Sequence, residues 1–229
     1  MPHRPRSRPA LALALAAGLA LALLASRPSA GEPPPKRSAA EVADGLRMAG
    51  SDGYGQVDWA NLPPWRQTSF FGIRSQGQVF VYVVDCSGSM DDGDRMLRAK
   101  TELRRSVGAL GFPQRFHVIF YNDRPLPMPG GFPKSADAHA KVDFNAWLRS
   151  IEPEGETDPR GALSQALNFR PDAVFLLSDG EFPAGTAEAI ARMNRRKVPI
   201  HCVDLAGGAG GNQLRQIAAD SQGQYAARP

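Results

Sequence analysis

Four short, almost unbroken apolar runs constrain this chain more than any other feature: Val79–Val84 (Val-Phe-Val-Tyr-Val-Val), Phe116–Tyr121, Ala173–Leu177 and Val198–Leu205. A half-buried strand alternates apolar and polar residues, whereas continuous β-branched and aromatic runs suit strands covered on both faces. Between the runs lie stretches of helical periodicity. Met96, Leu103, Val107 and Leu110 share one face of Arg95–Leu110, and Phe144–Ile151, Pro159–Phe169, Ala187–Arg196 and Gln213–Asp220 read as further helices. Pro159 falls in a first helical turn, where its missing N–H costs nothing. Ser69–Ile73 reads as a short edge strand and Gln224–Ala227 as a short closing one. Strand–helix alternation of this kind predicts an α/β fold, a doubly wound, mostly parallel sheet with helices on both faces. Right-handed crossovers leave only a few topologies. Ligands of such sheets bind beyond the carboxyl ends of the strands, where the strand order reverses.

Three segments bring oxygen-bearing side chains to that edge. The first apolar run ends Val84-Asp85-Cys86-Ser87-Gly88-Ser89, with Asp85, Ser87 and Ser89 at alternate positions and Gly88 permitting a tight turn. The third ends Leu177-Ser178-Asp179-Gly180-Glu181, and Gly155-Glu156-Thr157-Asp158-Pro159 places a hydroxyl just before a helix. With the strand order 3-2-1-4-5-6, the strands carrying Asp85 and Asp179 are neighbours, about 5 Å apart. Two carboxylates that close repel unless a proton or a cation lies between them. Hydroxyl donors without His or thiolate suit Mg²⁺ or Ca²⁺ rather than zinc. Taken singly, each segment has a plainer role as turn, cap or helix start; their common placement at one sheet edge argues for a joint cation site.

Asp85-Cys86-Ser87-Gly88-Ser89 resembles the Asp-x-Ser-x-Ser signature of von Willebrand factor type A domains, and Thr157 and Asp179 match that family's Thr and its Asp-Gly step in the same order. The resemblance spans about residues 76–228 and implies a Rossmann-like fold with a metal-ion-dependent adhesion site. It further implies that Ser87, Ser89 and Thr157 ligate Mg²⁺ (or Mn²⁺ or Ca²⁺) directly and that Asp85 and Asp179 act mostly through water. The last coordination position then goes to an exposed Asp or Glu of a protein partner. Mostly neutral ligands leave such an ion under-neutralised, which favours an arriving carboxylate.

Residues 1–30 have the order of a secretory signal: Arg4, Arg6 and Arg8, then sixteen Ala, Leu and Gly residues at 10–25, then small residues to Ala30. Sixteen residues fall short of the roughly 20 that span a bilayer, with retention as a membrane anchor the alternative. The body is therefore expected in the periplasm, cell envelope or medium, touching a membrane only through the N-terminal segment. Residues 31–68, with Pro33-Pro34-Pro35, read as an irregular linker containing a short helix over 39–48, and 69–229 as the domain. Four of the 27 Lys and Arg lie in residues 1–30, which hold no acid, so 23 basic side chains face 23 acidic ones beyond. A neutral body cannot gather phosphates, which sets nucleic acid aside.

The remaining signals are weaker. Asp91, Asp92 and Asp94 read as dipole-matched helix caps, with a second ion site as the alternative. Glu156, Asp158 and Glu181 are expected to rim the site. Cys86 and Cys202, separated by one strand, lie about 9–10 Å apart, beyond the ~7 Å a disulfide tolerates. His117 and His201 fall inside strand runs, His139 in a polar loop, and the glycines of 207–211 lack the Gly-Lys-Ser/Thr ending of a phosphate loop. An enzyme is not expected. A metal-assisted hydrolase using Ser87 would need a base at the same edge, and Cys86 stands where a nucleophile elbow wants glycine. A structural envelope domain with a vestigial site is the other alternative.

Overall fold

The computed structural model describes residues 63, 66–179, 182–207 and 211–229. The leader, the linker up to residue 62 with its helix over 39–48, Glu181 and residues 208–210 lie outside them. Among the described residues no helix is long and apolar enough to cross a membrane.

The four apolar runs become β3 (Val79–Asp85), β4 (Arg115–Tyr121), β7 (Ala173–Ser178) and β8 (Ile200–Asp204), all parallel, with β9 (Tyr225–Ala227) closing one edge. On the other edge β5 (Pro125–Pro127) and β6 (Lys134–Ser135) pair antiparallel with opposite ends of β4. The sheet order is β5-β4-β3-β7-β8-β9, the doubly wound 3-2-1-4-5-6 with its third strand reversed. The reversal has a simple cause: three residues separate β4 from β5, and a parallel return needs a crossover of a dozen or more. Neither β5 nor β6 is legible as an apolar run, since both are short and proline-bearing or polar.

Alternation along each strand feeds two separate core layers. Phe80, Tyr82 and Val84 face α1 (Arg95–Ala109) and α2 (Ala138–Arg149), packing with Met96, Leu103, Phe144 and Leu148. Val81 and Val83 face α3 (Arg160–Asn168), α4 (Thr186–Met193) and α5 (Gly211–Asp220), packing with Leu163, Ile190 and Leu214. With helices on both sides, β3, β4, β7 and β8 are buried nearly throughout. Cys86 belongs to the first layer and Cys202 to the second, and both are free thiols. The sheet itself stands between them, a stronger bar to a disulfide than lateral distance.

Two expectations need correction. The single edge strand over 69–73 is a hairpin, β1 (Gln67–Phe70) and β2 (Ile73–Gln76), forming its own two-stranded sheet. Its turn residues Phe71 and Gly72 have φ of 48° and 82°, the doubly positive pattern of a type I′ turn. Phenylalanine gives no turn signal there; the conformation is held from outside, by Glu102 Oε1 accepting from the Phe71 N–H (2.7 Å) and by Arg228 donating to its carbonyl (3.2 Å). The helix expected from Phe144 begins instead at Ala138, where the Asp137 carboxylate caps the Ala140 N–H at 2.9 Å. His139 accordingly sits in a helix, not a loop.

Gly223, in the turn between α5 and β9, marks the tightest backbone approach. A Cβ there would lie 2.0 Å from the Ile200 carbonyl oxygen. Gly223→Ala is expected to cost about 2–3 kcal/mol by overpacking rigid backbone, read by urea unfolding. Gly108→Ala, in α1 with nothing within 4 Å of the new methyl, should be neutral or gain up to about 1 kcal/mol. Equal effects at the two positions would contradict this packing.

Candidate functional site

β3 and β7 pair in parallel from Phe80↔Ala173 to Val84↔Leu177, so the residues following each strand emerge side by side. Asp85 is fully buried at that edge. One of its carboxylate oxygens accepts from the Ser87 N–H (2.8 Å); the other accepts from the Ser178 hydroxyl (2.6 Å) and, more weakly, from the Tyr121 hydroxyl (3.4 Å). Burial lifts Asp85 to about 6; the Ser178 and Ser87 bonds oppose the rise and the charge of Asp179 adds to it. The same surroundings push Tyr121 well above its ordinary value, through burial and then the Asp85 charge.

The Ser87 hydroxyl lies 3.2 Å from that of Ser89, the alternate spacing having turned both toward one point. The chain then makes a 3₁₀ turn over Gly88–Asp94, kinked at Asp92 and Gly93, before α1 starts. Asp91, Asp92 and Asp94 are exposed. Asp94 is the residue before α1, but it is left-handed (φ 61°) and makes no capping bond, so the expected dipole-cap role does not hold in its hydrogen-bonded form.

The third segment is tied to the first by backbone. The Gly88 N–H donates to the Gly155 carbonyl (3.1 Å) and the Glu154 N–H to the Cys86 carbonyl (2.8 Å), while the Asp158 N–H donates to Asn122 after β4 (2.8 Å). Gly155 has φ of 77°, and a side chain there would press on Asn122, 3.2 Å away; glycine lets the loop fold down onto the β3 end. Thr157 comes to line one cleft of about 550 Å³ together with Ser89, Glu156, Asp179, Arg95, Phe182, Pro183 and Ala206.

Of the five expected site residues, Ser89, Thr157 and Asp179 therefore line a common cleft. Ser87 is bonded to Ser89, and Asp85 holds the Ser87 backbone from beneath. Glu156 is on the rim as expected. Asp158 is engaged elsewhere, gripped by Arg160 at 2.6–3.1 Å, which holds its carboxyl below the usual range.

Sequence reasoning missed Arg95. It opens α1, lines the cleft, and donates from Nη1 to the Ser89 carbonyl (2.9 Å) and to Asp179 Oδ2 (3.4 Å). Its position, one residue past a run of acids, carries no motif. Ser178 was missed as well, although a hydroxyl at the end of a strand next to that of Asp85 is a readable signal.

The donor set can be tested against a cation. Among the described residues no group of three or more His, Cys, Asp or Glu side chains could hold a metal ion. Any ion here must rely on hydroxyls plus two mutually repelling carboxylates, which suits a hard, oxygen-loving divalent cation. Ser87, Ser89, Thr157, Asp85 and Asp179 fit that description.

A family model described as von Willebrand factor type A domain matches residues 80–227. Among solved structures, a von Willebrand factor type A protein from Catenulispora acidiphila matches with a TM-score of 0.59 at 22% identity, over 68% of this chain and 39% of that one. The hypothetical protein BatB from Bacteroides thetaiotaomicron matches with a TM-score of 0.50 at 20% identity, over 66% of this chain and 90% of that one. Proximal thread matrix protein 1 of the mussel byssus, in a form with a zinc-occupied MIDAS motif, matches with a TM-score of 0.52 at 20% identity, over 66% of this chain and 42% of that one. Identities this low establish the shared fold. This chain spans well under half the length of the first and third of these proteins. No curated protein matches it.

Proposed function

The chain belongs to the von Willebrand factor type A domain family, and on that premise we propose that it is an exported binding protein that grips a protein partner through a divalent cation. Ser87, Ser89 and Thr157 would hold the ion directly, Asp85 and Asp179 through water, and an Asp or Glu of the partner would complete its shell. The ion supplies a fixed positive charge with one exchangeable position, and the protein's own residues orient it. The observation that supports this most is the meeting of three segments, each from a different part of the chain. Ser89, Thr157 and Asp179 share one cleft, with Ser87 and Asp85 bonded just behind it.

The preference for Mg²⁺ or Mn²⁺ rests on donor chemistry. The zinc in the mussel protein's motif makes zinc the competitor to include. The hydrolase alternative asks for a His or Lys base at Ser87, whose hydroxyl is paired instead with that of Ser89. Binding therefore remains the better-supported reading. Export rests on the leader and is checked by fractionation, with the protein expected outside the cytoplasm.

Titrating Mg²⁺ or Mn²⁺ into chelator-treated protein is the direct test. The melting temperature is expected to rise by the equivalent of about 1–3 kcal/mol, through binding to the folded state alone. Thr157→Ala, a half-exposed position, should abolish the rise at little cost to the metal-free fold. A flat titration of the parent, or equal rises in parent and variant, would favour a structural domain with a vestigial site.

A further inference from the structure

Arg95 is a fixed cation built into the candidate site, and its placement bears on what the site selects. We propose that Arg95 is the specificity-determining residue for an acidic ligand: its guanidinium supplies the positive charge that lets the metal-loaded cleft accept a carboxylate. The inference rests on the cation reading above and goes beyond it by adding a sixth residue and a charge argument.

The charges can be counted at the cleft. Asp179 and Glu156 line it, and Asp85 lies just behind, bonded to the Ser87 N–H at 2.8 Å. Ionised, these three carboxylates outweigh the two positive charges of a divalent ion. Without another cation the loaded site would stay net negative and would repel an arriving Asp or Glu. Arg95 brings the balance to neutral, so the ion's attraction for a carboxylate is no longer opposed. Position matters as much as count, because charge interactions weaken with distance and with water. The Arg95 side chain is only 25% exposed and is pinned by the Ser89 carbonyl at 2.9 Å and Asp179 at 3.4 Å. Its remaining ion pair, to Asp92, is long at 3.9 Å and on the exposed side. Nη1 makes all of these contacts. Among the described residues Nε and Nη2 make no such bond. An arginine fork matches a carboxylate in two-point geometry, so one ligand oxygen can meet the ion while the other meets the guanidinium.

This role has a signature that a purely structural one lacks. If Arg95 merely holds Asp179 in place, removing it weakens metal and ligand together. If it selects by charge, removing it relieves repulsion of the metal and creates repulsion of the ligand, so the two affinities move in opposite directions.

The test uses the full chain and Arg95→Gln, with Arg95→Lys as the charge-keeping control. Mg²⁺ affinity is measured by calorimetry. Ligand binding at saturating Mg²⁺ is then followed by NMR, with a blocked pentapeptide carrying one Glu and its Gln counterpart as probes. For Arg95→Gln the expected result is Mg²⁺ binding several-fold tighter and Glu-peptide binding weaker by about 10-fold or more, with Arg95→Lys recovering most of the peptide affinity. Joint weakening of metal and peptide, or an unchanged Glu-peptide affinity with Mg²⁺ bound, overturns the role of Arg95 and leaves the cation site standing. A parent chain that binds no Mg²⁺, or that fails to prefer the Glu peptide over the Gln one, defeats the cation reading and this inference with it.

Discussion

Acidification from pH 7 to pH 4 is expected to cost the parent about 6 kcal/mol more than a variant lacking both His117 and His201. Both rings are buried on strands of the sheet, at 0% and 5% exposure, and burial holds each down to about 4 from an ordinary 6.5. The unfolded chain takes up these protons as pH falls through 6.5, whereas the folded chain resists until about 4. Stability supplied by the neutral rings is thus complete above pH 6.5, declines between 6.5 and 4, and levels off below. The fall from 6.5 to about 4 is worth roughly 3 kcal/mol per ring. His201 gives the cost a concrete form. Its Nδ1 accepts from the Gln224 N–H at 3.1 Å, and a proton placed on that nitrogen would set two hydrogens against each other. His117 packs edge-on against Phe169 at 4.9 Å, where a charge gains little. Asp85 works in the opposite sense, because burial raises it to about 6 and its protonation in the folded chain repays part of the loss as pH falls. Comparing parent with His117→Leu and His201→Leu variants by urea unfolding across the pH range isolates the histidines. Parallel stability curves for parent and variants would show that neither ring resists protonation.

Phe175→Ala is expected to lower stability by about 4 kcal/mol at neutral pH. Phe175 sits on β7 in the middle of the sheet and is fully buried. Its ring stacks on Tyr82 at 5.4 Å, meets Phe70 of the hairpin edge-on at 5.5 Å, and lies 5.1 Å from His201. Truncating a buried phenylalanine typically costs about 3–5 kcal/mol, lost transfer energy plus the cavity left behind, and lost aromatic pairs add to it. The cavity cannot collapse easily here. One wall is the sheet, and the Tyr82 hydroxyl is held by Ser106 at 2.8 Å. Phe175→Leu should cost less than half as much. A loss under about 1.5 kcal/mol for the alanine variant would mean that the hairpin and this stack are not part of one cooperative core.

Phe175 also shows how far a linear reading reaches. As one of an unbroken apolar run it was legible as a buried strand residue, and the two-sided burial followed. That the layer above it would include Phe70, from a hairpin expected as a single strand, was not legible. Phe71 at a left-handed turn position departs from ordinary turn chemistry, and its conformation depends on Glu102 and Arg228, 31 and 157 residues away. The edge strands β5 and β6 were hidden for a related reason, since strands of three and two residues owe their existence to pairing with β4.

The candidate site divides in the same way. The alternate spacing of Asp85, Ser87 and Ser89, the threonine before α3 and the aspartate after β7 are local patterns whose chemistry can be read before any fold is known. Strand runs likewise announce a parallel sheet, because burial on both faces demands apolar residues at every position. Arg95 carries no such local mark. Whether an arginine at the start of a helix reaches a carboxylate 84 residues later depends on which strands are neighbours and how the Gly88–Asp94 turn aims the helix. Residue type and period are properties of the chain taken locally; distance and orientation between remote side chains arise only when the sheet brings their strands together.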